Sequence, residues 1–132
     1  MDNSPKPLLT ICSPEEVDIL VAEAPLDYGY LLILEYENGD KILASSKSPS
    51  KYLSTHMVRE RIHGISNPIR VGISPQLWRY EAVKRNLQKQ LADYRKPGEA
   101  RFSVPNDVLE QAIESVFSLA MQHRRRREGD AT

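Results

Sequence analysis

The 132-residue chain carries 18 Lys and Arg against 18 Asp and Glu, a formal net charge of zero, and 40% of its residues are hydrophobic. That length fits one domain able to bury a core without staples, and no apolar run approaches the roughly 20 residues needed to span a bilayer. The single cysteine, Cys12, excludes an internal disulfide and a cysteine-based zinc site.

The zero hides an asymmetry. Residues 1–40 hold nine carboxylates and one lysine, whereas residues 41–132 hold seventeen Lys and Arg against nine Asp and Glu. The later part is suited to face an anionic partner; equally, two halves of one fold neutralise each other. The opening MDNSPKPLLTIC lacks a basic segment followed by an apolar one, so a cytoplasmic protein is expected.

In chain order, residues 1–12 read as extended or frayed. Ser13-Pro14-Glu15-Glu16 combines a cap, a first-turn proline and a capping-box glutamate. Val17, Leu20, Val21 and Ala24 then fall at helical spacing up to Pro25. Gly29–Leu34 reads as a buried strand, Asn38-Gly39 as a tight hairpin turn, and Lys41–Ala44 as the returning strand. Ser48-Pro49 opens a short helix over 50–57, and the polar stretch Arg59–Asn67 reads as a loop. Ile69, Val71 and Ile73 alternate with Arg70 and Gly72 as a strand exposed on one face. Ser74-Pro75 starts a long amphipathic helix with Leu77, Tyr80, Val83, Leu87, Leu91 and Tyr94 at three- and four-residue steps, closed by Lys96-Pro97-Gly98. Arg101–Val104 is a short strand. The last helix starts at Pro105-Asn106-Asp107 and carries Val108, Ala112, Ile113, Val116, Phe117 and Ala120 as its apolar stripe. The expected fold class is therefore a small α/β (α+β) sandwich, a three-stranded central sheet flanked by helices, with an extra N-terminal helix. The divisions are an N-terminal extension over 1–27, a domain over 28–122 and a basic C-terminal tail over 123–132.

From residue 28 to about 117 the chain resembles the GIY-YIG nuclease superfamily, closest to the compact branch common in phages and mobile elements. The first strand, Gly29-Tyr30-Leu31-Leu32-Ile33-Leu34, resembles that family's GYVYIL. Lys41-Ile42-Leu43-Ala44-Ser45 through Pro49-Ser50-Lys51-Tyr52-Leu53 resembles its second strand and helix. Lys84, Leu87, Gln88, Leu91 and Tyr94-Arg95, followed by Gly98-Glu99-Ala100-Arg101-Phe102, match the end of its long helix.

In active members of that family a tyrosine pair and an arginine act with a metal-holding glutamate on a phosphodiester. A metal and a fixed guanidinium stabilise the negative charge that develops there. Position by position, the resemblance implies that this set is lost. The first tyrosine is Tyr30, or in the alternative register Leu32; the second falls on Asp40 or Lys41. The strand glycine falls on Leu43, the arginine on Tyr52 beside Lys51, the metal-binding glutamate on Lys84 and a nearby histidine on Gln88. The expected activity is nucleic-acid binding, to DNA or RNA, through the former substrate face, with no catalytic residue, metal or cofactor. The residues assigned to it are Tyr30, Lys41, Lys51, His56, Arg59, Arg61, Lys84 and Arg85.

Two other readings stand beside this one. Glu81 shares a helix face with Lys84, which allows a divergent nuclease using magnesium, with Lys51 or His56 neutralising the phosphate. The acidic N-terminal helix allows a protein-interaction module, such as an accessory or regulatory factor. His123 and the run Arg124 to Arg127 suit phosphate contact through Arg124 and Arg125, or equally suit the negative end of a helix macrodipole. Trp78 and Tyr80 could stack a base, although Trp78 adjoins the Leu77 stripe. Scattered His56, His63 and His123 give no zinc spacing.

Overall fold

The structure, a computed structural model, describes the backbone of residues 9–130 and the side chains of residues 9–118 except Leu20. Its centre is β2 (Tyr28–Glu35), whose six interior residues are all buried. Antiparallel neighbours flank it: β3 (Lys41–Ser46) on one side and β4 (Arg70–Ile73) on the other. β1 (Thr10–Cys12) extends the sheet beyond β4, and β6 (Arg101–Phe102) extends it beyond β3. β5 (Leu77–Trp78) pairs with the first two residues of β2. The sheet thus has six strands, not three. The sequence hides the additions because β1 and β5 have three and two residues, too few to display a period of two.

Strand alternation gives β2 two different faces. Leu31 and Ile33 pack with Leu43 against α3 (Tyr80–Gln90) and α4 (Asn106–Asp130). Tyr30, Leu32, Leu34 and Tyr36 pack on the other side with Leu53 of α2 (Pro49–Ile62) and Val17 of α1 (Val17–Leu20).

Local chemistry explains where the elements depart from expectation. Only Gly39 has positive φ at the hairpin. The Gly39 amide donates to Tyr36 O at 2.9 Å and the Tyr36 amide to Asp40 O at 2.9 Å. This is a type I turn closed by a left-handed glycine, rather than a two-residue turn. The N-terminal helix is one 3-10 turn (Pro14–Glu16) followed by four α residues, and the chain is extended by Val21.

α2 is longer than its apolar pattern indicates. It continues through Arg59–Ile62 and ends in a Schellman motif: the Ile65 amide donates to Glu60 O at 2.8 Å, and that of Gly64 (φ 72°) to Arg61 O at 3.1 Å. Its inner face buries Glu60 and half-buries His56, so apolar periodicity could not reveal it.

α3 begins five residues later than the Ser74-Pro75 signal suggests. Ser74 Oγ accepts the Leu31 amide at 2.8 Å and donates to Pro75 O, so it serves the edge of β2 instead of capping a helix. Arg79 then takes a left-handed conformation (φ 57°), which an α-helix running on from Ser74 could not contain. A 3-10 turn over Ala92–Tyr94 follows α3.

Gly29, at the start of β2, lies directly under the Tyr80 ring. A Cβ there would meet ring carbons at 2.5–2.6 Å. Gly29→Ala is therefore expected to destabilise the fold by about 1–3 kcal/mol, the usual cost of overpacking. Adding Tyr80→Ala should recover part of that loss in a denaturant double-mutant cycle, whereas strict additivity would show that the two sites do not touch.

Candidate nucleic-acid interface

A cleft of about 450 Å³ opens where the end of β3, the first turns of α2 and the start of α3 converge. Ser45 and Ser46 reach it from β3, Lys47 and Ser48 from the junction, Lys51, Tyr52 and Thr55 from α2, and Tyr80 and Glu81 from α3. The local sequence accounts for this layout. Pro49 is pre-set for the first helical turn, so α2 turns away immediately after the strand. Positions 51, 52 and 55 then share one helix face. On the other side, Tyr80 seats its ring against Gly29 and carries the first turn of α3 to the cleft.

The N-terminal segment closes the opposite flank of α2. Ser48 Oγ donates to Glu23 Oε1 and Ser50 Oγ to Asp18 Oδ1, each at 3.0 Å. These carboxylates sit at the positive end of α2, which has no acidic residue in its own first turn. Two of the acids that give the N-terminal region its charge are thus engaged within the fold.

Among the described residues, neither Lys51 nor Lys47 forms an ion pair, and neither does Glu81. Glu81 is exposed and takes no cross-link to Lys84 or Arg85. The cleft therefore presents uncommitted ammonium groups, the hydroxyls of Ser45, Ser46 and Tyr52, and one uncommitted carboxylate, while the Ser48 and Thr55 hydroxyls already donate to Glu23 and to Lys51 O. Hydroxyls can donate to phosphate oxygens, and lysines neutralise them.

A buried polar network holds α2 in place beside this cleft. Tyr36 Oη donates to Glu60 Oε2 at 2.6 Å and lies 3.0 Å from His56 Nε2. Because the hydroxyl proton goes to Glu60, His56 must carry its proton on Nε2 and donate to Tyr36. Glu60 Oε1 lies 3.0 Å from the same nitrogen but out of line for a hydrogen bond. Arg101 of β6 stacks its guanidinium over the Tyr36 ring at 3.9 Å, with Nη2 3.7 Å from Glu60 Oε2. Arg101 Nη1 also lies 3.9 Å from Asp40 Oδ2, and Lys96 pairs with the same carboxylate. The Lys96 hydrogen bond is the main reason the Asp40 carboxyl is held below its usual range. Burial and the Glu60 carboxylate push the Tyr36 phenol far above its ordinary value, so it stays protonated. Tyr52 stacks on His56 with ring centroids 5.9 Å apart, which links the network to the cleft.

The assigned residues are divided by this geometry. Lys51 lines the cleft, while Lys84 and Arg85 follow Glu81 on α3, half-buried and exposed respectively. Tyr30 is buried on the α2 side and accepts a hydrogen bond from Gln76 at 3.2 Å. His56 is committed to the network. Arg59 and Arg61 are exposed near the far end of α2, where Arg59 lines a separate shallow pocket with His63 and Arg101. Lys41 is buried on the α4 side of the sheet, away from α2. α4 runs on through Arg124 and Arg125, whose side chains lie outside those described.

Sequence reasoning missed Tyr36, Glu60, Lys96 and Arg101. The alternation Tyr30, Leu32, Leu34 predicts the face of Tyr36, and the i, i+4 spacing of His56 and Glu60 was available. Nothing local announces Lys96 and Arg101. No protein-family model, no curated protein and no solved structure matches the chain.

His56 provides a pH test. Burial, reinforced by Arg59 and Arg101, holds its pKa below the ordinary value, against the opposing pull of Glu60. The unfolded chain takes up that proton first, so stability should fall as pH drops through about 6.5 toward the folded pKa, by at most about 1.4 kcal/mol per pH unit. Denaturant midpoints between about pH 7.5 and 5.5 should show that slope in the native chain and a flatter one in His56→Gln. Equal slopes would remove His56 as the cause.

Proposed function

We propose that the chain binds the phosphodiester backbone of nucleic acid, without cutting it, through the cleft between β3, α2 and α3. In this reading the domain is a GIY-YIG-like scaffold whose former substrate face retains affinity and has lost the catalytic set. The observation that carries it is the convergence of Lys47 and Lys51, both without ion-pair partners among the described residues, with the hydroxyls of Ser45, Ser46 and Tyr52. Such a surface gives sequence-independent, salt-sensitive affinity. Lys84 and Arg85 extend the positive charge along α3. Arg59 and Arg61, at the other end of α2, would meet only a strand that continues past the cleft.

Glu81 favours a second reading, a divergent metal-dependent endonuclease, because its uncommitted carboxylate shares the cleft with two tyrosines and two lysines. The donor set fits a resident divalent cation poorly. Among the described residues no three His, Cys, Asp or Glu side chains come together, and Lys51 repels a cation in the same cleft. Binding without cleavage is the better match to these residues.

Electrophoretic mobility shifts on DNA and RNA oligonucleotides over rising salt should show a salt-dependent complex. Lys51→Gln should weaken it and reduce the log–log salt slope by about one. Absence of a shift on either nucleic acid would overturn the proposal. Magnesium- or manganese-dependent cutting that Glu81→Ala abolishes would replace it with the second reading.

A further inference from the structure

Lys41 is only 6% exposed, yet no carboxylate among the described residues pairs with it. Its Nζ donates to Gly39 O at 3.0 Å, one bond for a group with three donors. An ammonium buried without a counter-charge is costly. Its cross-strand neighbour Glu35 would be the natural partner. Glu35 is instead taken by Arg70, whose Nε and Nη2 reach its two oxygens at 3.1 Å each.

Lys41 lines a cleft of about 260 Å³ between the sheet and the first two turns of α4. The cleft wall is mostly apolar, with Leu9, Ile33, Leu109 and Ile113 around it. Asn106, the first residue of the 25-residue α4, also lines it, which adds the positive end of a helix macrodipole to the lysine charge. Glu110 lies on the exposed rim, where solvent screens its charge. Arg70 and Glu35 neutralise each other. What remains among the described residues is one buried positive charge without an ion-pair partner beside an apolar wall.

We propose that this cleft binds a small carboxylate with a short apolar tail, the carboxylate pairing with Lys41 and the tail lying against Ile33, Leu109 and Ile113. The volume falls just below the roughly 300–1,000 Å³ of drug-sized sites, which sets a short tail. The site lies at the hairpin end of β3, where Lys41 opens the strand, whereas Ser45 and Ser46 at the strand's other end line the β3–α2–α3 cleft, so it stands or falls independently of nucleic-acid binding.

The test uses the full chain with labelled Ile and Leu methyl groups, titrated with hexanoate, acetate and hexanol and followed by NMR. Hexanoate should give saturable shifts at Ile33, Leu109 and Ile113, with acetate and hexanol about tenfold or more weaker, as expected when apolar burial or a charge-assisted bond is missing. Lys41→Met keeps the apolar stem and removes the charge. It should weaken hexanoate by about ten- to a hundredfold, to the level of hexanol. Hexanol binding as tightly as hexanoate, unchanged hexanoate affinity in Lys41→Met, or no saturable shift at these methyls would each overturn the proposal. Should Lys41→Met fail to fold, the comparison of hexanoate with hexanol on the native chain decides it.

Discussion

Burial of β2 on both faces is the constraint from which the rest of the molecule follows. Leu31, Leu32 and Leu34 are all fully buried, and they point to opposite sides of the sheet. Truncating any one of them would cost about 2–5 kcal/mol, a large share of a domain's net stability. A strand sealed on both sides needs a helical layer on each. α3 and α4 form one layer, and α2 with the N-terminal segment forms the other. The two clefts open at opposite ends of β3, one at Ser45 and Ser46 where α2 and α3 converge, the other at Lys41 beneath α4.

On the α2 side, the apolar core gives way toward the hairpin turn to a charged network. Tyr36 leaves the end of β2 to meet His56 and Glu60 of α2, and Arg101 covers the tyrosine ring. Removing one member would leave a buried carboxylate short of donors, which is costly, so the set acts as one fastening. It joins the hairpin, α2 and β6. Lys96, which pairs with Asp40, and Arg101 come from the segment after α3. The network thereby fixes the angle of α2 over the sheet. Lys51 and Tyr52, one turn before His56, inherit that position.

Much of this was legible from the residues, and the gaps have physical causes. Gly29–Leu34, the Asn38-Gly39 turn and the Ile69–Ile73 alternation mark the three inner strands because burial imposes a pattern on them. β1 and β5 are too short to carry a pattern, and their pairing is set by tertiary contact. The length of α2 was hidden because Glu60 and His56 occupy inner positions where apolar residues are usual. Spacing put Lys51 and Tyr52 in the first turns of α2, where they lie, and the expected resemblance to a nuclease core drew Lys41 into the same proposed surface. Position along β3 separates them: Lys41 opens the strand at the hairpin, whereas Ser45 and Ser46 at its far end line the cleft with Lys51 and Tyr52. Tyr80 entered the cleft through its contact with Gly29, a relation between residues far apart in the chain.

In the proposed function the phosphate-binding surface is confined to the end of the sheet where β3, α2 and α3 converge. Amide hydrogen–deuterium exchange on the full chain, with and without a short oligonucleotide at low salt, addresses it directly. Added protection over residues 45–55 and 79–85, with 33–35 and 106–113 unchanged, is the predicted result. Protection centred on residues 33–35 and 106–113, or none at all, would contradict it.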